Sequence, residues 1–137
     1  MVAPTTVFIA HCHDEASQAV VDRVREALPA GVAVATSAQS EEARGRPIPL
    51  RSRDAIAACD LFVAVLTDDP MESDWVALET SLAVARGKPI VPLKARGVPE
   101  RGALPRLAWI AFDREDPAPA AREVEGAVRE QLAGPGR

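Results

Sequence analysis

Short apolar runs alternate with amphipathic stretches along this chain. Val7-Phe8-Ile9-Ala10, Val32-Ala33-Val34-Ala35, Leu61-Phe62-Val63-Ala64-Val65-Leu66, Pro89-Ile90-Val91-Pro92-Leu93 and Leu107 to Phe112 are each a few residues long. They read as five strands, the first of them buried. The 61–66 run is apolar throughout, which predicts the central strand, and two prolines in the fourth predict a place near an edge. Between the runs the period changes to that of a helix. Ala16, Ala19, Val20, Val24, Ala27 and Leu28 recur at helical spacing after Asp14, a candidate cap, with Asp22, Arg23, Arg25 and Glu26 opposite them. Further helices are predicted near Arg51 to Cys59, from Ser73 or Asp74 to Arg86, and from Pro117 to Leu132. Strand and helix in alternation predict right-handed crossovers and one α/β layer structure. The expected fold is a flavodoxin-like doubly wound five-strand parallel sheet of order 2-1-3-4-5. The whole of 1–137 is read as one domain with its core at about 6–132. In such a sheet ligands bind beyond the carboxyl ends of the strands, at the switch point between the first and third. That rule selects Ala10 to Asp14, Thr36 to Leu50, and Thr67 to Glu79. The second of these has no periodicity and spans about 15 residues, a length at which loops are usually functional.

Composition narrows the function. Hydrophobic residues are 47% and charged residues 26%, enough to build a core, and the net charge is −4. A mildly acidic chain lacks the basic footprint of a nucleic-acid binder, so no nucleic-acid partner is expected. No run approaches the roughly 18 apolar residues of a membrane span, so no membrane partner is expected either. The two cysteines, Cys12 and Cys59, with no secretory segment, imply a reducing, cytoplasmic setting and free thiols.

Several chemistries lack their residues. There is no G-x-G-x-x-G after the first strand, no G-x-x-x-x-G-K-[ST] and no G-x-S-x-G, which argues against dinucleotide-binding, P-loop and α/β-hydrolase sites. His11-Cys12-His13 has too few donors around it for a zinc site, so no metal is expected. Cys12 on an extended segment has its neighbouring imidazoles turned away, which removes a Cys-His nucleophile. A receiver domain would need an acidic pair at the first strand's tip and a lysine after the fifth strand. This chain has His11-Cys12-His13 and a lysine, Lys94, after the fourth.

The segment from Thr67 through Ser73-Asp74-Trp75-Val76-Ala77-Leu78-Glu79 resembles the S-x-W-x-x-x-E helix that follows the third strand in TIR (Toll/interleukin-1 receptor) domains. Val7-Phe8-Ile9-Ala10-His11 is similar to that family's opening V-F-I-S-[HY] strand. Gly45-Arg46-Pro47-Ile48-Pro49 and Ala55-Ile56-Ala57-Ala58-Cys59-Asp60 resemble its long loop and the A-I-x-x-S-D helix after it. Gly87-Lys88-Pro89-Ile90-Val91-Pro92-Leu93 resembles its K-P-I-I-P-L strand. The pieces stand in the family's order across roughly residues 7 to 112. Ala10 replaces the usual Ser, and Cys12 lies where Ser or Arg is common. The resemblance implies a prokaryotic-type NAD⁺ glycohydrolase or cyclase that releases nicotinamide and linear or cyclic ADP-ribose, in antiphage defence or as an effector. NAD⁺ is then the substrate and no separate cofactor is needed. The implied catalytic residue is Glu79, with Trp75, Ala10, His11, Arg44, Arg46 and Ser73 at the substrate, and other TIR domains are the implied partners through self-association. Two alternatives remain: a non-catalytic TIR–TIR scaffold, and an enzyme like the nucleoside deoxyribosyltransferases, which share the topology and a catalytic carboxylate.

The residues support part of this without the family. Trp75, Leu78, Glu79 and Leu82 share a helix face by their spacing, and an acid inside an apolar stripe is expensive unless paired or used. The plainer reading is a carboxylate at the stripe's edge. Trp75 suits either stacking on a base or core packing. Arg44, Arg46, Arg51 and Arg53 cluster on and after the long loop, where they suit a pyrophosphate or a solvated loop shared with Glu41, Glu42 and Asp54.

Overall fold

The computed structural model describes residues 5–12, 14–36, 50–67, 70–98 and 107–133, without the side chains of 50, 51, 70–74 and 133. Their elements are β1 (Thr6–His11), α1 (Glu15–Ala27), β2 (Ala33–Thr36), α2 (Leu50–Ala58), β3 (Leu61–Leu66), α3 (Pro70–Ala85), β4 (Ile90–Ala95), β5 (Ile110–Phe112) and α4 (Ala118–Ala133). The five strands form one parallel sheet in the order β2-β1-β3-β4-β5, as the alternation of strand and helix predicts. β1 pairs with β2 from Thr6↔Ala33 to Ile9↔Thr36 and with β3 from Val7↔Leu61 to His11↔Val65. The chain therefore reverses its direction of travel across the sheet between β1 and β3, which is the switch point.

Strand alternation divides the core in two. Val7 and Ile9 of β1 join Leu61, Val63 and Val65 of β3 beneath α1 and α4. Phe8 and Ala10 join Phe62, Ala64 and Leu66 on the other face, beneath α2 and α3. There Phe8 and Phe62 stack with ring centroids 5.5 Å apart. Such a pair adds about 1 kcal/mol to the burial of its area.

β4 lies one strand in from the edge, as its prolines predict, with a partner on each side. Phe62 donates its N–H to the Pro89 carbonyl. The alternation of a parallel ladder then turns Val91 and Leu93 toward β3 and the nitrogen of Pro92 the other way. β5 pairs with β4 only from Leu93 onward, so no ladder bond is lost at Pro92. Three other expectations are corrected. β5 begins at Ile110 instead of Leu107, since Leu107 to Trp109 make no ladder pair with β4. α3 begins at Pro70, three residues before Ser73, because proline lacks an N–H that the first turn does not use. Leu78 is 48% exposed, so the buried stripe of α3 runs through Trp75, Val76, Glu79, Thr80 and Ala83.

Two motif residues turn out to join elements. Asp60 Oδ2 accepts from the Thr6 N–H at 2.8 Å, and the Asp60 N–H donates to the Thr6 carbonyl at 2.8 Å, fixing the start of β1. Lys88 Nζ donates to the carbonyls of Ala57 at 2.7 Å and Cys59 at 2.9 Å, capping the carboxyl end of α2. Gly87, with φ of 70°, ends α3 in a Schellman turn: its N–H donates to Val84 and that of Lys88 to Ala83. A side chain at Gly87 would be strained in that conformation.

Candidate active site

The carboxyl ends of β1 and β3 carry Ala10, His11, Cys12 and Thr67 side by side. All four are buried, His11 at 4% exposure. Ala10 and Cys12 face the α2/α3 layer. His11 alternates to the other face, and its Nδ1–H donates to the Cys12 carbonyl at 2.6 Å. The two residues expected at the strand tip are thus placed on opposite faces of the sheet, and only Ala10 shares a face with α3.

On α3, Glu79 is wholly buried and Trp75, one turn earlier, is 9% exposed. α3 packs against β1 and β3. Its N-terminus follows the carboxyl end of β3, and helical side chains lean toward their own N-terminus. Glu79 therefore leans toward the carboxyl ends of the strands. Val76 and Ala83 flank it with apolar surface. The Trp75 indole N–H is buried and finds no acceptor among the described residues. Thr80 is also buried and donates its hydroxyl back to the Val76 carbonyl at 2.7 Å.

A second polar group was visible in the sequence only as a helix cap. Asp14 Oδ1 accepts the Ser17 N–H at 2.7 Å, which is the cap itself, worth about 1 kcal/mol. Its other oxygen accepts the hydroxyl of Thr67. Ser17 Oγ lies 3.2 Å from Thr67 Oγ1, within hydrogen-bond distance. Ser17 is fully buried and Thr67 is 1% exposed. Burial acts to raise the Asp14 carboxyl. The bonds from Thr67 and Ser17, with the charge of Arg114 nearby, outweigh it and hold the group below its ordinary value. Thr67 offered one signal in the sequence, a lone hydroxyl ending an apolar strand, but its partner lies 53 positions away.

The remaining expectations scatter. Arg44 and Arg46 lie outside the described residues, as do the Ser73 side chain and His13. Cys59 sits at the amino end of β3, away from Cys12, and burial pushes its thiol up against the opposing effect of Lys88. Among the described residues no group of three or more His, Cys, Asp or Glu is arranged to hold a metal ion. No helix among them is long and apolar enough to cross a membrane. Two surface concavities flank α4, one floored by Ile90, Val91 and Ile110, the other between α1 and α4. Both lie on the far face of the sheet from α3, so neither contains Glu79.

Known proteins agree with this architecture. No curated protein matches the chain. Among solved structures, the CMP N-glycosidase BcmB of Clostridium botulinum superposes with a TM-score of 0.64 at 21% identity, covering 90% of this chain and 99% of that one. A 2-desoxiribosyltransferase from Leishmania mexicana superposes with a TM-score of 0.50 at 23% identity, covering 66% of this chain and 65% of that one. At such identities the likeness is one of fold. The model of the TIR domain matches residues 7–125, which takes in every strand, the switch point and the helix bearing Glu79. The chain belongs to the TIR domain family.

Proposed function

We propose that this protein cleaves the N-glycosidic bond between nicotinamide and ribose in NAD⁺, with Glu79 as its catalytic carboxylate. The observation that carries the proposal is the burial of Glu79, at 0% exposure, in the apolar layer between α3 and the sheet. A carboxylate in that position costs several kcal/mol unless something offsets the loss of water. A purely adhesive module has no use for it. Nicotinamide departs neutral from a cationic pyridinium, so the leaving group needs no proton. Positive charge develops on the ribose as in glycoside hydrolysis, and one anion nearby stabilises it. Trp75 walls the same helix face one turn away. NAD⁺ is the substrate in this scheme, and no metal or further cofactor enters it. Hydrolysis gives ADP-ribose, and attack by the adenine ring gives its cyclic form. Family resemblance further supports self-association, with the site completed between copies. Total activity then rises faster than linearly with protein concentration, so specific activity climbs as the protein is concentrated.

A second reading is favoured by the two fold neighbours, whose names describe an N-glycosidase of CMP and a transferase of deoxyribose. Both chemistries break the same class of bond in a nucleoside or nucleotide, and the same buried carboxylate suits them. Parallel incubation with NAD⁺, CMP and a deoxynucleoside, read by mass, separates the substrates. Nicotinamide and ADP-ribose products support the proposal. Cytosine from CMP with NAD⁺ untouched transfers it to the second reading. No release from any of the three, at low and high protein concentration, leaves the scaffold.

A further inference from the structure

Asp14, Ser17 and Thr67 form a hydrogen-bonded clasp that the glycosidase chemistry does not use directly. It joins the first turn of α1 to the end of β3, across 53 residues of chain. Helix capping explains only one of its bonds, that from the Ser17 N–H to Asp14. The Thr67 hydroxyl has no part in the cap. Two residues separate Thr67 from Pro70, where α3 begins. Whatever holds Thr67 therefore holds the start of the helix that carries Trp75 and Glu79. Asp14 follows β1 as Thr67 follows β3, so the bond between them also spans the switch point where the two strands diverge.

We propose that Thr67 is a positioning residue: its bond to Asp14 fixes the β3–α3 corner and so sets where Glu79 stands against substrate. The inference rests on the glycosidase function proposed above. Catalysis tolerates little misplacement, because an error of about 1 Å in a reacting group can lower a rate as much as a hundredfold. A short anchor at the head of a helix is an economical way to prevent that error. The Asp14 carboxylate suits the task, since a charged acceptor makes a stronger bond than a neutral one. The Arg114 charge lies on the same side, from the turn before α4.

The test replaces Thr67 by Val, which keeps the shape and removes the donor, and by Ser, which restores it. Turnover per folded molecule is read with saturating NAD⁺, and α3 docking is read without any substrate. The chain has only two tryptophans, Trp75 and Trp109, so in a Trp109→Phe background the emission of Trp75 reports on α3 alone. In Thr67→Val, kcat is expected to fall about tenfold with KM nearly unchanged. Quenching of Trp75 by acrylamide should rise about twofold as the corner loosens. Thr67→Ser should return both to wild type. If Thr67→Val does not fold, Asp14→Ser carries the same test, since Ser caps a helix as well as Asp does and has no second oxygen for Thr67. Unchanged quenching, or raised quenching with unchanged kcat, overturns the inference. Should the wild type prove inert toward NAD⁺, the function proposed above fails, while the quenching arm still decides whether the clasp holds α3.

Discussion

The two faces of the sheet are built differently. Under α1 and α4 the core is Val, Ile, Leu, Ala and Phe, and the polar groups of that side gather at the rim, where Ser17 and Thr67 meet Asp14. Under α2 and α3 the layer buries Ser52, Glu79 and Thr80, together with the indole N–H groups of Trp75 and Trp109. α1 and α4 are cleanly amphipathic, whereas α3 is apolar around most of its circumference and leaves Leu78 and Val84 half exposed. One side is arranged as a support, on which ordinary packing decides stability. The other retains polar groups that a packing optimum would replace, which is where functional constraint is expected.

Substitutions on the two faces should therefore move different observables. The largest effect belongs to the support. Leu93 is fully buried beneath α4, and Leu93→Ala should lower unfolding free energy by about 3 kcal/mol. Denaturant titration measures the loss, and turnover per folded molecule should not change. A large fall in kcat at full folding would break the division. Next come Arg44 and Arg46, outside the described residues: Arg44→Glu with Arg46→Glu should raise apparent KM for NAD⁺ at least tenfold, about 1.4 kcal/mol, with the melting temperature unmoved. Unchanged kinetics in the double variant would remove both arginines from the substrate site.

Asp14→Asn gives a smaller effect with a defined pH dependence. The folded pKa of Asp14 lies below its ordinary value. Its contribution is present above the unfolded value, about pH 4, and is lost as pH falls through the folded one. At neutral pH the variant should be less stable by about 1 kcal/mol or less, given the partial exposure of the group. Melts from pH 7 down to pH 2 should show the gap between wild type and variant narrowing only below about pH 4. A gap that widens toward acid would contradict the assigned shift. The smallest effect is at Leu78. Despite its place beside Glu79 in the motif, Leu78→Ser should change stability by about half a kcal/mol or less, and kcat not at all.

Sequence pattern was most informative where the chain is simplest. The all-apolar 61–66 run is β3 to the residue, and the Asp14 cap and α1 stand where periodicity puts them. Strand order followed from the alternation of elements. α3 was read less well because apolar residues surround it: Leu78 fits the helical spacing of the stripe as well as Val76 does, and only packing separates them. β4 tolerates its prolines one strand in from the edge because proline is harmful only where its nitrogen meets a partner strand, which depends on register. In the site, the burial of Glu79 was legible from its apolar neighbours. The Asp14–Thr67 bond was not, because hydrogen bonds between segments 53 residues apart leave no periodic trace.

Glu79→Gln, assayed with NAD⁺ beside thermal melts, tests the central claim most directly. Glutamine nearly matches glutamate in shape, so packing between Trp75 and Ala83 survives and only the negative charge is removed. With that charge lost from a site shielded from water, nicotinamide release should fall on the order of a hundredfold or more, mainly in kcat, while the protein melts as a folded domain. A variant that folds like wild type and releases nicotinamide at the wild-type rate would contradict a catalytic role for Glu79.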